Sequence, residues 1–377
     1  MRQWVLSAVE YSPSSGHKTS LLLGGSTYAL YVGQFLFPST VLLYTTSCVL
    51  GVGAAVIWCA QGAVLTLNSN DEDITRNSGI FTAFITSAKL VGNVFLYINL
   101  KGKHEIDSET RFHVSLVLSI VTSLGVLVFL CLRPAPGARI KKTYHIVDSL
   151  KKSLQLFLTQ DMLLLSVFNF SVGLQMSFRL AIYSTCLGFT HQFGADSKAL
   201  ATMSGLAGAT GTVLGSVLLA LLSKGLLKRT GRNPVIIFGC FLIIVGYFLS
   251  FLNLPHMSTM RQTTQEDTVF LSPSKYVALL CSLLFGLADA CQATQLLSLL
   301  GTTWRHNPEP AFALTKFTQS VASFLAFLCA SHATLLVHLA VLGIINIAGT
   351  VAFTLVQNKA NREKEEECEA EDQEALH

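Results

Sequence analysis

Apolar runs recur along almost the whole chain, with charged residues held largely to the gaps between them. Ten can be delimited: Leu21 to Phe37, Val41 to Leu65, Ser78 to Leu100, Phe112 to Leu132, Met162 to Leu187, Ala199 to Leu222, Val235 to Leu254, Tyr276 to Leu300, Ala311 to Ala330 and Ala333 to Val356. A helix rises 1.5 Å per residue, so about 20 residues cross the ~30 Å hydrocarbon core of a bilayer. The pattern predicts an all-α polytopic membrane protein of about ten spans. One sizeable break, Arg133 to Gln160, is basic, contains Pro134 and Pro136, and separates four spans from six. The predicted organisation is a short N-terminal segment (1–20), four spans (21–132), a central loop (133–160), six spans (161–356) and a charged tail (357–377).

Composition agrees with this pattern. The chain is 51% hydrophobic and 13% charged, about half the charged share of a soluble domain. The net charge of +4 therefore says little about nucleic acid, and none is expected as a partner; the expected partner is the lipid bilayer. Eight of the nine cysteines fall within or at the ends of apolar runs, and Cys368 is in the tail. None has a spacing suited to a metal, so they are small membrane hydrophobes. Met1 to Ser20 has no long apolar stretch or clear cleavage site, so no signal peptide is expected.

The basic residues set the predicted orientation. With the central loop placed in the cytoplasm, seventeen of the 26 Lys and Arg are cytoplasmic, six lie on the other side and three are inside spans. The positive-inside rule then puts both termini in the cytoplasm. The compartment is not readable from such a count. The sequon at Asn169 sits mid-span, where glycosylation is not expected.

Four charged side chains stand inside apolar runs: Lys89, Arg179, Asp289 and Lys316. An acid at membrane depth costs on the order of 2.5–3.5 kcal/mol unless it faces a polar interior. Ser282, Asp289 and Gln292 share one helical face, while Gln295 projects elsewhere. Asp289 and Gln292 either line a cavity or form hydrogen bonds that hold the bundle together. Lys316, on the next antiparallel span, either reaches Asp289 or snorkels to the interface. Lys89 lies mid-span and should face the interior, whereas Arg179 is expected at the non-cytoplasmic interface. Gly211 and Gly215 form a G-x-x-x-G pair suited to close helix packing. No nucleophile–base arrangement, phosphate loop or metal set is present in the sequence, so no enzyme and no cofactor is expected.

Several strings resemble a known family. Leu226-Leu227-Lys228-Arg229-Thr230-Gly231-Arg232-Asn233-Pro234 is similar to the cytoplasmic loop motif of the major facilitator superfamily, with Lys228 where that motif has an acid. The resemblance gives Arg229, Gly231 and Arg232 a latch role, together with Arg76. More specific are Ala54 to Gly62, Leu65 to Ser69, Arg76 to Phe81, Gly92-Asn93, the Asp289 helix, Pro310 to Ala313, Lys316-Phe317 and Gln319-Ser320. Together these resemble the Unc-93-like branch, over roughly residues 21 to 356. Phe84-Ile85-Thr86-Ser87 and Phe317-Thr318-Gln319-Ser320 open corresponding helices of the two halves, as related repeats would.

The resemblance implies a major-facilitator-type bundle and a solute carrier of unknown substrate. Trp58 and Gln61 then join Asp289, Gln292, Gln295, Lys316 and Lys89 as candidates for a substrate or proton site. It also implies an alternative, a non-transporting partner of a channel or receptor. The superfamily plan is six helices plus six, whereas this chain offers four plus six, so the expectation is a shortened gene product without the first two. A third function class follows from that: an inactive isoform.

Overall fold

A computed structural model describes residues 13–100, 107–132, 146–225, 229–264, 269–305 and 308–375. Lys228 of the loop motif, residues 1–12, and residues 133–145 of the central loop lie outside the described residues. Twelve α-helices can be delimited among the described residues, in order: α1 (Pro13–Gly33), α2 (Thr40–Leu67), α3 (Ile74–Leu100), α4 (Ser108–Val128), α5 (Ile146–Phe157) and α6 (Gln160–Ser177). Then come α7 (Tyr183–Phe189), α8 (Ser197–Leu222), α9 (Asn233–Asn253), α10 (Lys275–Thr303), α11 (Pro308–Cys329) and α12 (Leu335–Ala375). All-helical architecture suits a bilayer, because each helix satisfies its own backbone polar groups.

Nine helical spans among the described residues are long and apolar enough to cross a membrane. The tenth expected span, α1, is helical over 21 residues but is not among them. His17, Lys18 and the Gly24-Gly25-Ser26-Thr27 stretch dilute its apolar content. Helix starts carry readable signals: Asp107 accepts from the Thr110 backbone N–H at 3.1 Å, Thr159 accepts from that of Met162, and Pro234 opens α9. The charged tail continues α12 to Ala375.

The chain divides into two compact units. The first comprises residues 1–70, 94–157 and 300–317; the second comprises 71–93, 158–299 and 318–377. In the first, α1 packs on α2 and α4. Its α1–α2 seam is made close by small residues, since a side chain at Gly24 would meet the Gly53 carbonyl and one at Gly53 would overlap Thr27.

In the second unit α6 packs on α12, and α9 on α12. Its core gathers Phe178, Tyr183, Tyr247 and Phe285, whose rings stand 5.5 to 6.1 Å apart. Helix α8 meets α10 through glycines: a side chain at Gly211 would strike the Leu283 carbonyl, and one at Gly215 would press on Ala290. These glycines serve packing. Helix α10 is the most enclosed span, 56% of its apolar window being buried against 6% for α4. On α4, Val121, Leu124, Leu127 and Val128 are exposed, a surface suited to lipid.

Candidate functional site

The site in the second unit begins with a departure from regular helix. Between α6 and α7 the backbone makes a π-turn over Phe178–Ile182. Such turns are rare, insert an extra residue into the helical ladder, and occur often at functional sites. Arg179 sits inside it. Instead of lying at the interface as its position predicted, Arg179 points at α10, where Nη2 lies 3.0 Å from Asp289 Oδ1 and Nη1 donates to the Phe285 carbonyl at 3.3 Å. Both side chains are largely enclosed, 19% and 30% exposed. Thr212 of α8 donates to the other carboxylate oxygen of Asp289 at 3.4 Å. Lys89 of α3, expected to face the interior, is exposed on its helix yet lies within electrostatic reach of the same carboxylate.

Beside the ion pair is a cavity of about 20 Å³ lined by Gln175, Arg179, Tyr247, Phe285, Asp289 and Gln292, among others. That is room for about one water molecule. Two of its lining residues, Gln175 and Gln292, belong to a carboxamide cluster. Asn346 of α12 donates through Nδ2 to Cys240 and accepts at Oδ1 from Gln175 at 3.0 Å and from Gln292 at 3.3 Å. Gln175 also donates to Ser171 Oγ at 2.7 Å. One face of α10 therefore carries Ser282, bonded to Ser204 at 2.7 Å, then Asp289 and Gln292. Gln295 is elsewhere on the helix, 1% exposed, its Nε2 without a partner among the described residues.

Lys316 and Asp289 fall in different units, and each has a partner in its own. The Lys316 ammonium lies over the Trp58 ring, 4.7 Å from its centre, and Trp58 Nε1 donates to the Tyr28 hydroxyl at 3.3 Å. A cation over an indole face is attracted by the ring quadrupole. Gln61, one turn along α2, has a buried Nε2 with no hydrogen-bond partner among the described residues. Gly62 leaves room for the Phe312 ring, so α2 approaches α11 closely there.

The loop motif builds a separate cluster in the second unit. Gly231 has φ of +74°, a left-handed conformation that favours glycine. It turns the chain so that Arg232 caps α9 and reaches inward. Arg232 Nε donates to Ser298 Oγ at 3.0 Å, and Nη1 donates to Gln357 Oε1 at 2.9 Å, joining α10 to α12. Ser298 Oγ is also 2.7 Å from Thr75 Oγ1, which brings in α3. Burial pushes the Arg232 guanidinium down to about 10, and the charge of Asp71 works against that shift. Arg76 pairs with Asp73 at 3.1 Å, Lys224 approaches the same acid at 3.8 Å, and Arg229 is exposed.

Sequence reasoning missed Gln175, Asn346, Asp71, Asp73 and Gln357, and misplaced Arg179. A polar residue inside an apolar run was the available signal for Gln175 and Asn346. Nothing local marked the π-turn that re-aims Arg179.

Comparison with known proteins places this geometry in context. Residues 8–354 match the family model described as ion channel regulatory protein UNC-93. The chain is 35% identical over 362 residues to the UNC93-like protein MFSD11 of Xenopus laevis, covering 91% of this chain and 81% of that protein. It is 36% identical over 364 residues to the Xenopus tropicalis counterpart, with the same coverage. Among solved structures, the proton:xylose symporter XylE aligns with a TM-score of 0.64 at 13% identity, over 92% of this chain and 82% of that one. The major facilitator transporter FucP in its outward conformation aligns at 0.59 and 11% identity, over 94% and 90%. At such identities the likeness is one of fold.

Proposed function

This chain belongs to the UNC-93 family, and from that premise we propose that it is a secondary transporter whose solute site is built around Arg179 and Asp289. It is an integral multi-pass membrane protein of the major facilitator fold, transporter-like in architecture. The observation that carries the proposal is the intramembrane ion pair beside a water-sized polar cavity, with one partner delivered by a π-turn. Ionisable residues at membrane depth mark substrate or ion pathways by default. The carboxamides of Gln175, Gln292 and Asn346 add the few convergent polar groups that small-molecule sites use.

In this scheme Asp289, Arg179, Gln175 and Gln292 contact solute or its coupling ion. Lys89 adds charge and Gln295 lies buried on the Asp289 helix, while Trp58, Gln61 and Lys316 are a separate candidate cluster within the first unit. Arg232, with Gly231, Arg76 and Arg229, latches helix ends on the cytoplasmic side, where both termini lie. Proteoliposomes loaded by incubation with a mixed metabolite pool test this. At least one solute should accumulate with the unaltered chain and fail to do so with Asp289→Asn; equal accumulation in both overturns the site.

The description of the family as ion channel regulatory proteins favours a second function, that of a regulatory subunit. Its mark would be one stable membrane-protein partner on purification, with no solute accumulated by either form.

A further inference from the structure

The basic break between the fourth and fifth expected spans holds a helix of its own, α5 (Ile146–Phe157). Its 12 residues extend about 18 Å, too short to cross the hydrocarbon. The helical repeat nevertheless sorts them. At about 100° per residue, Ile146, Val147, Leu150, Leu154 and Phe157 fall within one arc of about 120°, and Leu158, next in the chain, extends it. Lys151 borders that arc and Lys152 lies behind it.

The apolar arc is open at its C-terminal end. Leu154 is 60% exposed and Leu158 is 66% exposed, and Lys151, Lys152 and Gln155 are exposed with them. On a spanning helix such leucines would face lipid. On a short helix outside the spans they face water unless another surface takes them.

Two observations say which surface that is. The first is tether length. Only Leu158 and Thr159 separate α5 from α6, which opens a span long and apolar enough to cross a membrane. Three Cα–Cα steps reach at most about 11 Å, so the last turn of α5 is held at the membrane surface where α6 begins. The second is charge. Residues 133–160 carry six Lys and Arg against one acid, Asp148, and a segment of that kind is drawn to an anionic bilayer. Lys151 stands where it meets headgroups when the leucines enter the acyl boundary, and Lys152 stays within a Debye length of them.

We infer that α5 is an interfacial anchor: its leucine stripe enters the bilayer surface, and its lysines hold anionic phospholipid headgroups there. The partner is a lipid surface and not a solute, so the inference stands apart from the transport site. With the central loop cytoplasmic, as the charge count expects, this is the leaflet that carries anionic lipid.

Hydrogen exchange of the full chain, one copy per nanodisc, tests it. Discs of phosphatidylcholine alone are compared with discs of two parts phosphatidylcholine to one part phosphatidylserine. Backbone amides of residues 151–158 should exchange about tenfold more slowly in the anionic discs, the scale of two lysines near such a surface. Lys151→Gln combined with Lys152→Gln should remove most of that difference. Leu154→Ser combined with Leu158→Ser should speed exchange in both discs. Unchanged exchange in the spanning helices shows that each variant has folded.

Equal rates in the two discs for the unaltered chain overturn the inference, as does a difference that survives loss of both lysines. Rates untouched by the serine pair overturn it too, since the stripe would then not be buried in lipid. If slow exchange at α5 appears only in discs holding two copies, the stripe is covered by a second chain and the lipid assignment fails.

Discussion

The guanidinium of Arg179 and the carboxylate of Asp289 form a 3.0 Å ion pair between a π-turn and the most enclosed of the described spans. Removing one member leaves the other charged and unpaired in a region with little water. Arg179→Gln or Asp289→Asn alone should therefore destabilise the chain by on the order of 3 kcal/mol. The double variant should recover much of that loss, because it leaves two neutral amides that can bond to each other. Melting temperatures of the three variants in one detergent decide it. A double variant no better than the sum of the singles would remove the coupling.

Asn346 holds two glutamines through one oxygen. Replacing it with Leu strands the Gln292 amide nitrogen and leaves that of Gln175 only its bond to Ser171 Oγ, at about 1–3 kcal/mol for a polar group left unsatisfied. Asn346→Leu should lower the melting temperature more than Gln175→Met does. The reverse order would place the organising role with Gln175.

Arg232 gives a prediction about pH. Its value of about 10 lies below that of an exposed guanidinium because burial disfavours the charged form. Below about pH 10 the group is protonated in both folded and unfolded chains, so its contribution to stability is flat there. Stability from this group rises only above that point, where the folded chain releases the proton first. Arg232→Gln should lower stability by about 2–3 kcal/mol through lost bonds to Ser298 and Gln357. That margin should be the same at about pH 6 and about pH 9. A margin that changes over this interval would point to a titrating neighbour.

Two glycines should respond in opposite senses. A methyl group at Gly286 would lie 2.0 Å from the Gly208 carbonyl oxygen, a backbone atom that cannot swing aside. Gly286→Ala should push α8 from α10 and cost about 1–3 kcal/mol or more. At Gly188, in α7, a methyl group meets nothing within 4 Å. Gly188→Ala should be neutral or stabilising by about 0.4–1 kcal/mol, since it restricts the unfolded chain. Thermal unfolding of the pair tests the α8–α10 seam against an internal control.

Much was legible in the order of residues. Apolar runs of membrane length specify spanning helices, because in hydrocarbon a single continuous run can satisfy its own backbone polar groups only as a helix. Asp289 announced itself by its cost at depth, and Ser282 and Gln292 followed from the helical repeat. Gly231 followed from its motif, and its left-handed backbone supplies the reason. The partner of Asp289 was not legible. Depth along regular helices left Lys316 either reaching Asp289 or snorkelling, but a π-turn brings Arg179 onto α10 and the Lys316 ammonium lies over Trp58. Likewise Gln175 and Asn346 lie 171 residues apart and meet only because α6 packs on α12. Local periodicity determines which segments become helices and which side chains are costly to bury. Which costly side chains neutralise one another is decided by helix packing and by local breaks in the helical ladder, and those are properties of the folded chain.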